Sequence, residues 1–448
     1  MSQPLDALTK ALLSAATEAG ADAADAKALR MASSSVEVRG GALEQAERSE
    51  STDIGLRVFV GHRSAVVSGS DLSTRMIEEM AARAVAMAKE APEDPHAGLA
   101  DPAQLATSWD IDALALFDET PEPSPQSLQE AASAAEAAAL AVKGVSQVQS
   151  ASAGYTLQEM HASMSNGFDG GYARTQNGIS CAAIAGIGMG MESDYDGDGR
   201  VFQSELRAAA EIGARAAERA VERLGAKKPP TGTYPVLFDE RVSGSLIGHL
   251  LSAVNGIAIA RGASFLRDHM GQEVLPKGLS VIEDPLRPRT LGSRPFDGEG
   301  LPTSKRKIVE DGTLQAWTLD LATARKLGHA PTGNAARGTS SGPMPTNWNV
   351  SLTQGDQSRD DLMREMGTGL FVTSMIGSTI NPNTGDYSRG AAGFWVERGQ
   401  ISYPVNECTI AGNLRDMLRS IVPANDARLH LSRVVPSLLV PEMTLAGA

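Results

Sequence analysis

Residues 385–413, GDYSRGAAGFWVERGQISYPVNECTIAGN, constrain the fold more tightly than any other stretch of the chain. Ala391 to Glu397 is apolar enough for a half-buried strand, Arg398-Gly399 makes a two-residue turn, and Ile401 to Val405 alternates as a return strand. Asn413 stands as an N-cap in front of LRDMLRSIV, a short amphipathic helix. Gly385 and Gly390 bracket Asp386, Tyr387, Ser388 and Arg389, which reads as a polar loop lining a substrate channel or a subunit interface. A turn so built fixes the loop while leaving its face open, and Asp386 can pair with Arg389 across it for less than about 1 kcal/mol. A hairpin with a polar tip and no further role accounts for the same pattern.

The rest of the chain changes character at 227–232, KKPPTG, which is charged, proline-rich and ends on glycine. Before it, helices and strands alternate. Leu5 to Ala19 is an amphipathic helix, Val36–Arg39 with Ala42–Arg48 and Ile54–Val60 with Ser64–Ser68 read as two hairpins, and STRMIEEMAARAVAMAKE is a second helix. A proline- and acid-rich connection over 91–126 follows. The order then returns, with a helix over 128–142, extended segments over 145–191 and a helix over 205–224. After the break, short strands recur between Gly, Pro and Asn turns, and residues 330–348 read as a mobile or partner-ordered loop. The expected fold class is α+β. An N-terminal helix–antiparallel sheet domain over 1–226, in two helix–sheet–helix halves, precedes a β-rich, barrel- or sandwich-like domain over 233–448.

Bulk properties narrow the function classes. A chain of 448 residues with 42% hydrophobic content can bury a large core. A formal charge of −14 argues against direct nucleic-acid binding, which needs a basic face. Two cysteines, Cys181 and Cys408, neither in a CxxC pair, fit a reducing compartment. The N-terminus lacks the pattern of a signal peptide, and no apolar run approaches the roughly 18–20 residues of a membrane helix. A cytoplasmic location is expected. No Walker loop, GxGxxG or GxSxG elbow occurs, and Cys408 reads as a buried structural thiol.

Four further segments join the 385–413 stretch: 295–300 (PFDGEG), 325–328 (RKLG), 366–373 (MGTGLFVT) and PEM at 441–443 ahead of Ala446-Gly447. Together they resemble the TldD/PmbA family over essentially the whole chain, and more closely its PmbA (TldE) branch. The resemblance implies a metallopeptidase subunit, linked indirectly to DNA gyrase control. In the catalytic branch HExxxH on a helix holds Zn²⁺ through its histidines, and its glutamate activates water. None of the seven histidines here is followed by glutamate. With 261–265 (RGASF) laid on the RGTS segment of that branch, Ile247, Gly248 and Ser252 fall where the motif has His, Glu and His. His249 is close but offset, and a lone histidine reads first as a packed one. The resemblance therefore implies no catalytic residue and no metal in this chain, with the zinc in a TldD-like partner. Extended or unfolded peptides are the implied substrates. The other reading is a binding or regulatory protein that acts without a partner, including as a homodimer.

One motif lies outside the resemblance. Asp194, Asp196, Asp198 and Glu205, with Gly199 at the sixth position, match a calcium-binding EF-hand loop. The upstream GIGMGME is too glycine-rich for the required helix, so the alternative is an acidic turn capping the helix that follows.

Overall fold

The structure, a computed structural model, describes residues 3–447. Its first layer is a six-stranded antiparallel sheet. The strands are β1 (Ala23–Arg39), β2 (Ala42–Val60), β3 (Arg63–Gly69), β4 (Val145–Met164), β5 (Asp169–Ala185) and β6 (Glu192–Arg200), in the order β3-β2-β1-β4-β5-β6. The seam runs between β1 and β4, from Asp25 opposite Met164 to Val38 opposite Ala151. Helices α1 (Leu5–Glu18) and α2 (Thr74–Glu90) cover one half, burying Leu8, Leu12, Ile77 and Met80 against Ala26, Ile54 and Leu56. Helices α3 (Pro125–Leu140) and α4 (Ala209–Glu222) cover the other with an alanine-rich contact around Ala135, Ile212 and Ala216. Small residues let these two helices approach closely: a Cβ on Gly213 would lie 1.9 Å from the Ala135 carbonyl oxygen.

The two expected N-terminal hairpins share one strand, because β2 runs unbroken from Ala42 to Val60. The polar run Ser49–Asp53 contains no glycine or proline to end it, and β1 pairs with it throughout.

The second layer is closed. Strands β7 (Gly232–Phe238), β8 (Gly369–Ile380), β9 (Asp386–Glu397), β10 (Gln400–Asn413) and β11 (Leu438–Ala446) pair in the order β10-β9-β8-β7-β11. A further β10–β11 pairing joins the ends into a five-stranded barrel. Alternation along these strands serves two cores. Val236, Phe238, Leu370, Val372 and Trp395 pack with Leu246, Ile247 and Leu250 of helix α5 (Glu240–Ala253). Leu237, Phe371, Phe394 and Leu439 face the opposite way, onto Leu362 and Met363.

The loop at 330–348, expected to be mobile or ordered by a partner, is held within the chain itself as a clamp between the layers. Arg337 is buried against the carboxylate of Asp25, itself fully buried and 2.6 Å from Arg57 Nε. A Cβ on Gly55 would meet the Thr339 carbonyl oxygen at 2.1 Å, so only glycine lets the loop lie on β2. The 91–126 connection is pinned too: Trp109 packs edge-on to Phe296, 4.8 Å between ring centres, and the Thr175 amide donates to the Leu116 carbonyl. No helix among the described residues is long and apolar enough to cross a membrane.

Candidate functional site

Helix α5 starts on Asp239, whose side chain accepts from the Arg241 amide at 3.0 Å. From two turns further on, three positions matter for zinc. Ile247 is buried in the core, Gly248 carries no donor, and the exposed Ser252 hydroxyl donates to the Gly248 carbonyl at 2.9 Å. His249 packs edge-on to Tyr387, 5.9 Å between ring centres, with its Nε2 buried and without a partner. Burial, then the charges of Arg389 and Arg433, push its pKa down to about 4. Among the described residues no three His, Cys, Asp or Glu side chains converge as metal ligands. An imidazole facing two guanidiniums does not fit a zinc site.

The 386–389 segment is not a loop. Gly385, at φ +82°, makes the turn, and Asp386 opens strand β9 opposite Asn413. Gly390 sits within the sheet, paired with Ile376 and Thr409. Asp386 and Arg389 are three residues apart on a strand, so they point to opposite faces and make no ion pair. The Asp386 carboxylate accepts from Thr384 Oγ1 at 2.6 Å and Asn413 Nδ2 at 3.2 Å. Ser388 is half-buried opposite Thr379 and Ala411. Tyr387 is 2% exposed, donates its hydroxyl to Met375 Sδ at 3.4 Å, and is pushed up to about 12 by burial. Arg389 donates Nε to the Gly377 carbonyl at 2.7 Å.

The calcium-like pattern is also a strand. Asp194, Asp196 and Asp198 alternate along β6 and share one face, because EF-hand positions 1, 3 and 5 have the same spacing as one side of a strand. Guanidiniums meet all three: Arg241 at 2.8 Å from Asp194, Arg207 at 2.8 Å and Arg219 at 3.0 Å from Asp196, and Arg200 at 3.0 Å from Asp198. Burial raises the Asp196 pKa, but Arg207 and Arg219 outweigh it and hold the group below the usual aspartate range. Glu205 lies apart and ion-pairs with Arg289. The helix-flanked loop that an EF-hand requires is missing, since β6 pairs along β5 from Glu192 to Arg200.

The face of the first sheet that the helices leave uncovered borders a cavity of about 570 Å³, with Ser33, Ser35, Ser152 and Ser180 on the sheet and Arg428, His430 and Leu431 across from them. A second cavity, about 440 Å³, lies between α5 and the barrel and is lined by Met375, Arg389 and Arg433. Arg241, Arg428 and Leu431 line both, so the two are contiguous. Pattern reading had no access to this junction, because its residues are scattered over 33–433 and none forms a local motif.

A sheet covered by helices on one face, segments that lead into a closed barrel laid on the other through Arg337, Phe296 and Leu291, and a hydroxyl-lined cavity beside them define a two-layer architecture with known relatives. Family models describing PmbA/TldA metallopeptidase domains match residues 24–88 (domain 1), 118–224 (central domain) and 231–447 (C-terminal domain). The chain belongs to the PmbA/TldD metallopeptidase family. It is 38% identical over 428 residues to Metalloprotease PmbA of Escherichia coli O157:H7, covering 95% of this chain and 92% of that one. It is 35% identical to the PmbA homolog of Haemophilus influenzae, over 96% of this chain and 94% of the relative. A solved Bacteroides thetaiotaomicron protein, described as a modulator of DNA gyrase, superposes with a TM-score of 0.91 at 27% identity, over 99% of this chain and 98% of that one. TldE from Thermococcus kodakarensis shares the fold, with a TM-score of 0.85 at 20% identity over 98% and 100% of the two chains.

Proposed function

We propose that this chain is the non-catalytic, TldE-like subunit of a two-chain zinc peptidase that degrades or processes unfolded peptides. A TldD-like partner supplies the HExxxH zinc and the water-activating glutamate. The observation that carries the reading is the α5 register: Ile247 is in the core, Gly248 has no side chain, Ser252 is turned back on its own helix, and His249 faces cations. This chain's part is to bind and orient. The cavity over the sheet offers serine hydroxyls, each able to donate or accept, so they suit the main chain of an extended peptide with little demand on its sequence. The test is metal analysis of the purified chain. Substoichiometric zinc is expected; about one tightly held Zn²⁺ per chain, lost on His249→Ala, would overturn the reading.

A further inference from the structure

Four guanidiniums line the two cavities, and two of them face a carboxylate. Arg241 reaches Asp194 and also Asp239 at 3.1 Å, and Arg428 reaches Glu240 at 2.7 Å. Arg389 and Arg433 differ. Among the described residues neither has a carboxylate within ion-pair reach; Arg389 donates to the Gly377 carbonyl and Arg433 makes one long contact, 3.4 Å, to the Gly244 carbonyl. Both line the 440 Å³ cavity and remain at least partly open to it. Glu240, the only acid in that lining, is already held by Arg428.

The helix makes room for this pair of charges. A Cβ on Gly248 would stand 3.0 Å from Arg433 Nη1, and one on Gly244 would stand 3.3 Å from its Cδ. Both positions are glycine, so the Arg433 side chain lies along α5. His249 adds no third charge, since it stays neutral beside the two guanidiniums. Two unneutralised cations in a groove of a chain with formal charge −14 are a local exception, and the donor forks of arginine match carboxylate geometry.

We propose that Arg389 and Arg433 form a carboxylate-binding subsite that fixes one acidic group of the bound peptide. The subsite deepens the peptide-channel reading and rests on it. Its ligand is a carboxylate from either of two sources, the peptide's C-terminus or an Asp or Glu side chain. Since this cavity adjoins the serine-lined one at Arg428 and Arg241, a carboxylate held there would set where the extended chain lies along the channel.

The experiment measures binding of an N-terminally labelled, unstructured peptide to the full-length chain by fluorescence anisotropy. Four peptides are compared: free C-terminus, C-terminal amide, the acid residues changed to amides, and both changes together. The expected result is that one carboxylate source accounts for about a tenfold or larger loss of affinity, and that Arg389→Gln or Arg433→Gln removes that preference without lowering Tm. Dependence on the terminus or on the side chains identifies the source. Equal affinity for all four peptides, or a preference that survives both substitutions, would overturn the subsite while leaving the channel intact. No binding of any peptide would sink the channel reading itself. Arg433→Lys, which keeps the charge but loses the fork, separates specific recognition from general attraction: recovery of less than half the preference is expected.

Discussion

Two charged regions border the same pair of cavities and are built in opposite ways. Along β6 every aspartate has a guanidinium within 3.0 Å, and the ties cross between layers: Asp194 to Arg241 of the barrel domain, Asp198 to His430 at 3.5 Å. Beside α5, two guanidiniums have no carboxylate within ion-pair reach among the described residues. The first arrangement leaves nothing for an added ion or ligand and joins the sheet to the barrel. The second contributes little to stability and leaves donors open. Charge that is satisfied inside the fold is structure; charge left open in a groove is where a ligand belongs.

Four changes break or sharpen this contrast. The largest effect is expected from Asp194→Ala, which removes one of the two carboxylates on the mostly buried Arg241 and leaves Asp239; urea unfolding should show a loss of about 2–3 kcal/mol. Next comes acid. His249 is neutral in the folded chain down to about pH 4, but in the unfolded chain it takes a proton near 6.5. Its contribution is therefore complete above pH 6.5 and lost as pH falls toward 4, by about 1–2 kcal/mol after solvent screening. His249→Asn should flatten the urea midpoint across that window, whereas a wild-type slope in the variant would assign the loss elsewhere. Below that window, protonating Asp196, whose pKa is depressed, removes further stability. Arg389→Gln should then change stability by less than about 1 kcal/mol, because no ion pair is broken. The smallest effect is calcium. Millimolar Ca²⁺ should leave Tm unchanged, since arginines already neutralise the β6 carboxylates; a clear rise erased by Asp194→Ala with Glu205→Gln would reverse that view.

Much of the fold was legible because its signals are local. The Arg398-Gly399 turn lies at φ +52° and +74°, Asn413 caps its helix at 3.0 Å from the Arg415 amide, and period-two alternation marks the barrel strands. The family signature carried the rest of the architecture. The site was less legible. A glycine looks the same in sequence whether it ends a strand, like Gly385, or lies inside one, like Gly390, so 386–389 read as a loop. Acids at alternate positions fit a calcium loop and a strand face equally, and only the arginines from 200 to 241 distinguish them. Likewise, nothing local tells that residues 330–348 bury Arg337 against Asp25, some 300 positions away.

On the function proposed above, this chain binds and positions peptide and leaves hydrolysis to a zinc-bearing partner. The most direct measurement follows cleavage of an unstructured peptide by the full chain alone, by a TldD-type subunit carrying HExxxH alone, and by the two mixed, each with and without a zinc chelator. No cleavage by this chain is expected, and chelator-sensitive cleavage by the mixture should run well above that of the partner alone. Chelator-sensitive cleavage by this chain alone, or a partner whose rate is unchanged by adding it, would contradict the claim.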